Sequence, residues 1–338
     1  MFLLSGSIIQ TQAAEDSKNI ADRDIYLPST VSPEARVLLK QLSLKKGYAR
    51  VAPEPADLVA WQKMYEGAEA ANEESAQKAI KDNNVTVTKI ICGIPVLDIR
   101  PKNWTNNGKV LVYTHGGAYT LFSARSTLPS SAPMARITGM RVISVDYTTA
   151  PFAHWEEIQE QVISVFKALL AEGYTMNDIA IYGDSAGGGL TTSTVLNLRD
   201  RGMGMPEVVV LFSPWVDITN AGDTPHTLKE ADPTLNYELL LKNSALAYAD
   251  DLDLDDPRVS PLYANFSKGF PPTLIQGGTK EILLSTVVRL YQKMEAADQK
   301  VKLDIYEGMP HVFQQFGIPE SEVAMKKAAA FIHKHMGI

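Results

Sequence analysis

The pattern of apolar positions changes character near residue 84. From about residue 17 to residue 83, charged and apolar residues alternate with helical spacing and no strand-like run appears. Ser32 followed by Pro33 predicts a helix start, with a hydroxyl to cap and a ring whose fixed φ suits the first turn. Pro53 and Pro55 break the pattern, and an Ala- and Glu-rich stretch over 57–81 resumes it. Beyond this point short apolar or β-branched runs recur at 85–91, 95–100, 109–114, 142–145, 179–181, 208–212, 273–276 and 301–306. Helical patterns lie between them, notably at 158–172, 188–201 and 285–297. Strands alternating with helices predict an α/β fold with a mostly parallel sheet.

One interval breaks this rhythm. Between Pro214 and Pro257 a helical pattern over 237–249 leads into an acidic loop over 250–256. An excursion of this length between core strands reads as a lid if it packs on the helical N-terminus, and as peripheral decoration if it does not. The predicted division is a cap part over 1–84, core over 85–214, a cap insertion over 215–256, and core again over 257–338.

The strand at 179–181 runs into Gly183-Asp184-Ser185-Ala186-Gly187, and a helix follows. G-x-S-x-G between a strand and a helix is the setting of a nucleophile elbow, where small neighbours leave room for a serine on a strained turn. Ser185 is the candidate nucleophile. His115-Gly116-Gly117-Ala118-Tyr119 follows the strand at 109–114. Adjacent glycines let backbone N–H groups face a site unobstructed, so Gly116 and Gly117, with Ala186 after the serine, are the expected oxyanion donors.

A serine needs a base, and the base needs an orienting acid. Of six histidines, His333 and His335 lie in a Lys-rich C-terminal helix, His226 in the insertion and His154 in a loop. His115 precedes the glycines, where it would orient their loop. His311 lies in a Gly- and Pro-containing loop after the last strand, where an α/β sheet places functional groups, and is the expected base. Glu281, the carboxylate of the loop after 273–276, is the expected acid, with Asp217 the alternative. Tyr119, Phe122, Trp215 and Phe313 are candidate pocket walls, with core packing the alternative for each.

Composition narrows the picture. Hydrophobic residues at 45% and charged residues at 21% describe an ordinary globular chain. A net charge of -7 with scattered basic residues argues against a nucleic-acid or anionic-membrane partner. The single cysteine, Cys92, excludes an internal disulfide framework and a Cys-based zinc site. No run approaches the ~20 apolar residues of a membrane span. The first residues, Met1 to Ile9, are mildly apolar but lack a preceding positive charge, and Thr11-Gln12-Ala13-Ala14 resembles a cleavage site. A cytoplasmic location is expected, with export the alternative if this is a shortened signal peptide.

Together these stretches resemble the hormone-sensitive lipase family of α/β-hydrolases, in its bacterial carboxylesterase branch. The resemblance rests on His115-Gly116-Gly117-Ala118-Tyr119, on Gly183-Asp184-Ser185-Ala186-Gly187-Gly188, on Asp256-Pro257-Arg258-Val259-Ser260-Pro261-Leu262, and on Glu281-Ile282-Leu283-Leu284 upstream of His311-Val312-Phe313. It covers the chain from about Val85 onward. It implies an eight-stranded sheet, a helical cap, no cofactor, no metal, and a monomer or homodimer acting on a small-molecule ester. It also implies hydrolysis of short- to medium-chain acyl esters by Ser185, His311 and Glu281 through an acyl-enzyme. Amide or lactone hydrolysis by the same residues is the alternative, and a ligand-binding protein with a silenced site is a further one. Three departures stand out: Ala118 replaces a glycine, Thr148 and Phe152 replace the Arg and Glu of an Asp-Tyr-Arg-Leu-Ala-Pro-Glu stretch, and Glu281 stands where many members carry Asp.

Overall fold

A computed structural model describes residues 25–44 and 50–338. The expectations for Met1 to Ala14, and for helix over 17–24, fall outside the described residues. The described chain opens with helices α1 (Pro33–Leu44) and α2 (Leu58–Asn83), separated at the prolines as the pattern predicts. Ser32 Oγ accepts from the Ala35 N–H at 3.0 Å and so caps α1. Asp57 caps α2 in the same way through the Ala60 N–H.

Eight strands follow: β1 (Val85–Cys92), β2 (Ile94–Pro101), β3 (Val110–Thr114), β4 (Arg141–Val145), β5 (Ile179–Asp184), β6 (Val208–Phe212), β7 (Thr273–Lys280) and β8 (Val301–Pro310). They form one sheet in the order β1-β2-β4-β3-β5-β6-β7-β8. β2 pairs antiparallel with β1 and β4, and every other pairing is parallel. The remaining helices are α3 (Leu128–Thr138), α4 (Trp155–Ala171), α5 (Ala186–Asp200), α6 (Thr224–Thr227), α7 (Lys242–Ala249), α8 (Leu284–Ala296) and α9 (Pro319–Met336).

The period-two geometry of a strand divides each central run between two cores. Val110, Val112, Ile143, Ile181 and Val209 pack with α4, α5 and α8. Leu111, Tyr113, Val142, Tyr182 and Val210 pack with α2, α3 and α9. Both faces are covered, which is why β3, β4, β5 and β6 are buried along their whole length.

Three features differ from the sequence pattern. β7 and β8 extend into the predicted loops and stay paired to Lys280 and Pro310, with an irregularity between Gly278 and Lys280. A Cβ on Gly278 would lie 2.1 Å from the Met309 carbonyl oxygen, so glycine permits this extra pairing. Helix α3 has no clear sequence signal, because Pro129 and Pro133 lie within it. In the insertion, the predicted helix begins as a five-residue π-type turn, Tyr237–Leu241, before α7.

The two regions outside the sheet meet. The Ala52 N–H donates to the Leu239 carbonyl at 2.8 Å, and Asn243 Nδ2 donates to the Pro53 carbonyl at 3.0 Å.

Candidate active site

β5 ends at Asp184, and α5 begins at Ala186, so Ser185 alone makes the turn between them. Its backbone is at φ 54°, ψ −125°, a conformation that costs a non-glycine residue about 1–3 kcal/mol and that tightly packed surroundings must hold. The Ser185 N–H donates to the Phe212 carbonyl at 2.9 Å, and its own carbonyl accepts from the Trp215 N–H at 2.8 Å. Close packing explains the flanking glycines. A Cβ on Gly183 would lie 2.3 Å from the Gly187 carbonyl oxygen, and one on Gly187 would lie 2.1 Å from that of Thr114. Ser185 is therefore nearly buried, at 7% exposure, with the first turn of α5 behind it. The free N–H groups of that turn favour negative charge at the serine.

β7 and β8 deliver the other two groups. His311 follows the last residue of β8, and Glu281 follows the last residue of β7. His311 Nδ1 lies 2.8 Å from Glu281 Oε2. A carboxylate only accepts, so Nδ1 carries the proton and Nε2 keeps its lone pair. Glu281 Oε1 accepts from the Gly278 N–H at 2.7 Å, which fixes the carboxylate, and the acid is fully buried. The Val312 N–H donates to Ser213 Oγ at 3.1 Å and holds the chain beside the histidine. Asp217, the alternative acid, is committed elsewhere: its Oδ2 accepts from Arg289 Nη1 at 2.5 Å and from the Tyr263 hydroxyl at 3.1 Å. A further carboxylate that the sequence did not point to, Asp232 from the insertion, accepts from the Ile282 N–H at 2.8 Å. Burial pushes the Asp232 carboxyl up.

The loop after β3 is pinned plane by plane. The Tyr147 hydroxyl donates to the His115 carbonyl at 2.7 Å, and at the other end of that peptide the Gly116 N–H donates to Asp184 Oδ1 at 3.3 Å. The Tyr113 hydroxyl donates to the same carboxylate oxygen. His115 Nδ1 lies 2.8 Å from the Gly116 carbonyl, which holds the next peptide and with it the Gly117 N–H. The His115 ring stacks on Tyr147 with centroids 4.1 Å apart, and burial pushes its pKa down to about 4. It is thus neutral near pH 7, and its Nδ1 proton is the one given to the carbonyl.

This arrangement corrects one expectation. The Gly116 N–H is engaged with Asp184 and does not face the cavity as an oxyanion donor. The N–H groups of Gly117, Ala118 and Ala186 have no hydrogen-bond partner among the described residues. The sequence signal for Asp184 was the variable position before the serine, and nothing in the motif alone shows what it accepts. In the stretch that holds Thr148 and Phe152, Tyr147 holds the His115 carbonyl, and the Ala150 N–H donates to the Tyr119 carbonyl at 2.8 Å.

Ser185, His311, Gly117, Ala118 and Phe122 line one cavity of about 1110 Å³. Leu235, Leu240 and Leu241 from the insertion, and Asn72 to Asn83 along α2, complete parts of its wall. Of the four predicted wall residues only Phe122 lines it. Tyr119, Trp215 and Phe313 are buried core. Tyr119 stacks on Tyr248 at 3.7 Å and lies 5.7 Å from Trp215, and Phe313 packs against Tyr306 at 4.8 Å. A large aromatic after a glycine pair serves equally well to wedge a loop onto the core, and the sequence does not distinguish the two roles. Among the described residues, no cluster of three His, Cys, Asp or Glu side chains is placed to hold a metal ion, and no helix is long and apolar enough to cross a membrane.

The sheet order and a serine at a strand-to-helix turn define an α/β hydrolase. The family model described as alpha/beta hydrolase fold matches residues 111–315, and the chain belongs to that family. An esterase of Acinetobacter venetianus is 36% identical over 225 residues, spanning 66% of this chain and 74% of the relative. An acetyl-hydrolase of Streptomyces hygroscopicus is 30% identical over 241 residues, spanning 71% and 79%. The crystal structure of an esterase from the bacterial hormone-sensitive lipase family superposes with a TM-score of 0.79 at 28% identity, covering 91% of this chain and 100% of that one. A hormone-sensitive lipase from a metagenome library gives 0.80 at 28% identity, covering 89% and 99%. Within the family, the chain groups with the esterases of the bacterial hormone-sensitive lipase type, as its motifs imply.

Proposed function

We propose that this ester hydrolase cleaves short- to medium-chain acyl esters through an acyl-enzyme on Ser185, with His311 as base and Glu281 as its orienting acid. One observation carries the reading. Glu281 holds His311 by Nδ1 at 2.8 Å, and the imidazole shares a cavity with a serine in a strained turn. His311 Nε2 takes the Ser185 proton as Oγ attacks the ester carbonyl. The oxyanion that forms is stabilised by the N–H groups of Gly117, Ala118 and Ala186, whose donors are free at the head of α5 and in the pinned loop. The alcohol leaves with the proton from His311, and water repeats both steps on the acyl group. The name of the Streptomyces relative, an acetyl-hydrolase, agrees with a small acyl group. Of the described residues, 25–44 and 50–84 together with 215–256 are the two parts of a cap on this reading, supported by the contacts of Ala52 and Asn243 across them.

A fluorophosphonate probe tests the assignment. The expected outcome is one adduct per chain, on the peptide that contains Ser185, competed away by p-nitrophenyl butyrate. An unlabelled chain, or an adduct on another residue, overturns the assignment.

The pinned loop yields a second expected result. Tyr147→Phe removes only the hydroxyl that holds the His115 carbonyl, so the Gly117 and Ala118 donors lose definition while the cavity keeps its shape. A neutral hydrogen bond is worth about 0.5–1.5 kcal/mol, so kcat is expected to fall about three- to tenfold. KM should stay within twofold, because the donors act on charge that develops only in the transition state. A rise in KM with kcat unchanged would assign Tyr147 to substrate binding instead.

A further inference from the structure

The segment that carries Glu281 is held from outside the sheet. It runs from Lys280, still paired in β7, into the first turn of α8, and no side chain of its own caps that helix, since Leu283 stands at the N-cap position. The insertion supplies what is missing. Thr224, at the head of α6, accepts from the Ser285 N–H at 2.8 Å and donates to the Ile282 carbonyl at 2.6 Å. Beside it the Asp223 N–H donates to Ser285 Oγ at 3.1 Å, and that hydroxyl donates in turn to Asp223 Oδ1.

Asp232 closes the other side. Its Oδ2 accepts from the Ile282 N–H at 2.8 Å, which fixes the peptide that directly follows Glu281. Its Oδ1 accepts from the Thr234 N–H at 2.7 Å, the Thr234 hydroxyl at 2.6 Å and the Leu235 N–H at 3.0 Å. Pro233 offers no N–H, which leaves that oxygen to the residues beyond it. Thr234 and Leu235 line the cavity, so one side chain ties a stretch of cavity wall to the residue after the acid. Asn or Ser could cap the turn at Thr234, but each has a single accepting oxygen, and here donors converge on two. At 6% exposure the carboxylate is costly to keep out of water, and its second oxygen serves Ile282 alone.

We infer that Asp232 is a positioning residue for Glu281: through it the insertion sets the backbone from which the acid reaches His311. This rests on the reading of Ser185, His311 and Glu281 given above. The insertion grips the oxyanion loop as well, because Tyr248 stacks on Tyr119 and Ser244 Oγ meets Thr120 Oγ1 at 3.2 Å. It is thus part of the frame that holds the site as well as a wall over it.

Asp232→Asn separates the two halves of the clamp. Three donors meet at Oδ1, so the amide keeps its oxygen there and the turn at Thr234 and Leu235 stands. Its NH₂ then faces the Ile282 N–H, donor against donor, and that hold is lost. For p-nitrophenyl acetate kcat is expected to fall about tenfold, as small misplacements of a catalytic group act, with KM within about twofold because the wall is kept. The far-downfield proton resonance of His311 Nδ1 should persist and move upfield as its bond to Glu281 lengthens. A purely structural role would lower the melting temperature and leave that resonance in place. Thr224→Val, which removes the hydroxyl at the Ile282 carbonyl, should reproduce both changes, and Thr224→Ser should recover most of the loss. This pair carries the test where Asp232→Asn does not fold. An unchanged kcat, or an unmoved resonance, in the folded Asp232→Asn and Thr224→Val chains overturns the positioning role alone. A wild-type chain that cleaves no ester and takes no fluorophosphonate adduct on Ser185 overturns the underlying reading instead.

Discussion

Ser185→Ala is expected to lower kcat for p-nitrophenyl acetate by roughly 10⁴- to 10⁶-fold, the scale on which removal of a serine nucleophile acts. The size of the effect follows from the division of labour in the site. On the proposed mechanism His311, Glu281 and the backbone donors have no chemistry of their own on an ester, because each acts on a proton or a charge that attack by Ser185 creates. The variant keeps the fold, since alanine meets the same positive φ of 54° and leaves the N–H bond to Phe212 and the carbonyl bond from Trp215 untouched. Its melting temperature should therefore stay within a few degrees of the parent while turnover vanishes. Activity within tenfold of the parent would remove Ser185 from the mechanism, and loss of the melting transition would show that the serine is needed for folding instead.

How much of this was legible in the chain depends on the range over which each feature is decided. The eight strands are visible because burial on both faces imposes continuous apolar runs, which need no knowledge of neighbours. The serine turn is visible because its geometry demands small residues at fixed offsets, and the space that Gly183 and Gly187 leave is filled by the Gly187 and Thr114 carbonyls. Features decided across the sheet are not visible in this way. Which N–H of the loop after β3 faces the cavity depends on two peptide planes, and those are set by Tyr147 and Asp184, well separated in sequence from the glycines they hold. The motif therefore suggested Gly116, and the structure turns that group to a carboxylate. Aromatic residues near a site are ambiguous for a similar reason. Tyr119, Trp215 and Phe122 carry the same composition signal, and only the stacking of Tyr119 on Tyr248 shows which of them are core.

Glu281→Gln should cost kcat about 10³- to 10⁴-fold on any ester, with the fold intact. The reason lies in which oxygen each partner uses. Glu281 Oε1 accepts from the Gly278 N–H and Oε2 accepts from His311 Nδ1. An amide in this place keeps its oxygen toward Gly278, because that N–H must be answered in a fully buried position. Its NH₂ group then takes the place of Oε2 and faces His311 Nδ1 as a donor. The imidazole must offer a lone pair there, so its proton moves to Nε2, the nitrogen that should receive the Ser185 proton. The variant thus holds the base in the wrong tautomer with almost no change of shape. Asp217→Asn supplies the contrast. That carboxylate is bound by Arg289 and Tyr263, so its neutralisation should lower the melting temperature and leave kcat within about twofold. The reverse outcome, a crippled Asp217→Asn and an active Glu281→Gln, would move the acid to Asp217 and require the loop after β6 to rearrange. The Asp232 carboxylate, which accepts from the Ile282 N–H, gives the insertion a hold on the backbone next to Glu281. Loosening that hold by Asp232→Asn should reduce turnover far less than Glu281→Gln, because the acid keeps its own bonds to Gly278 and His311.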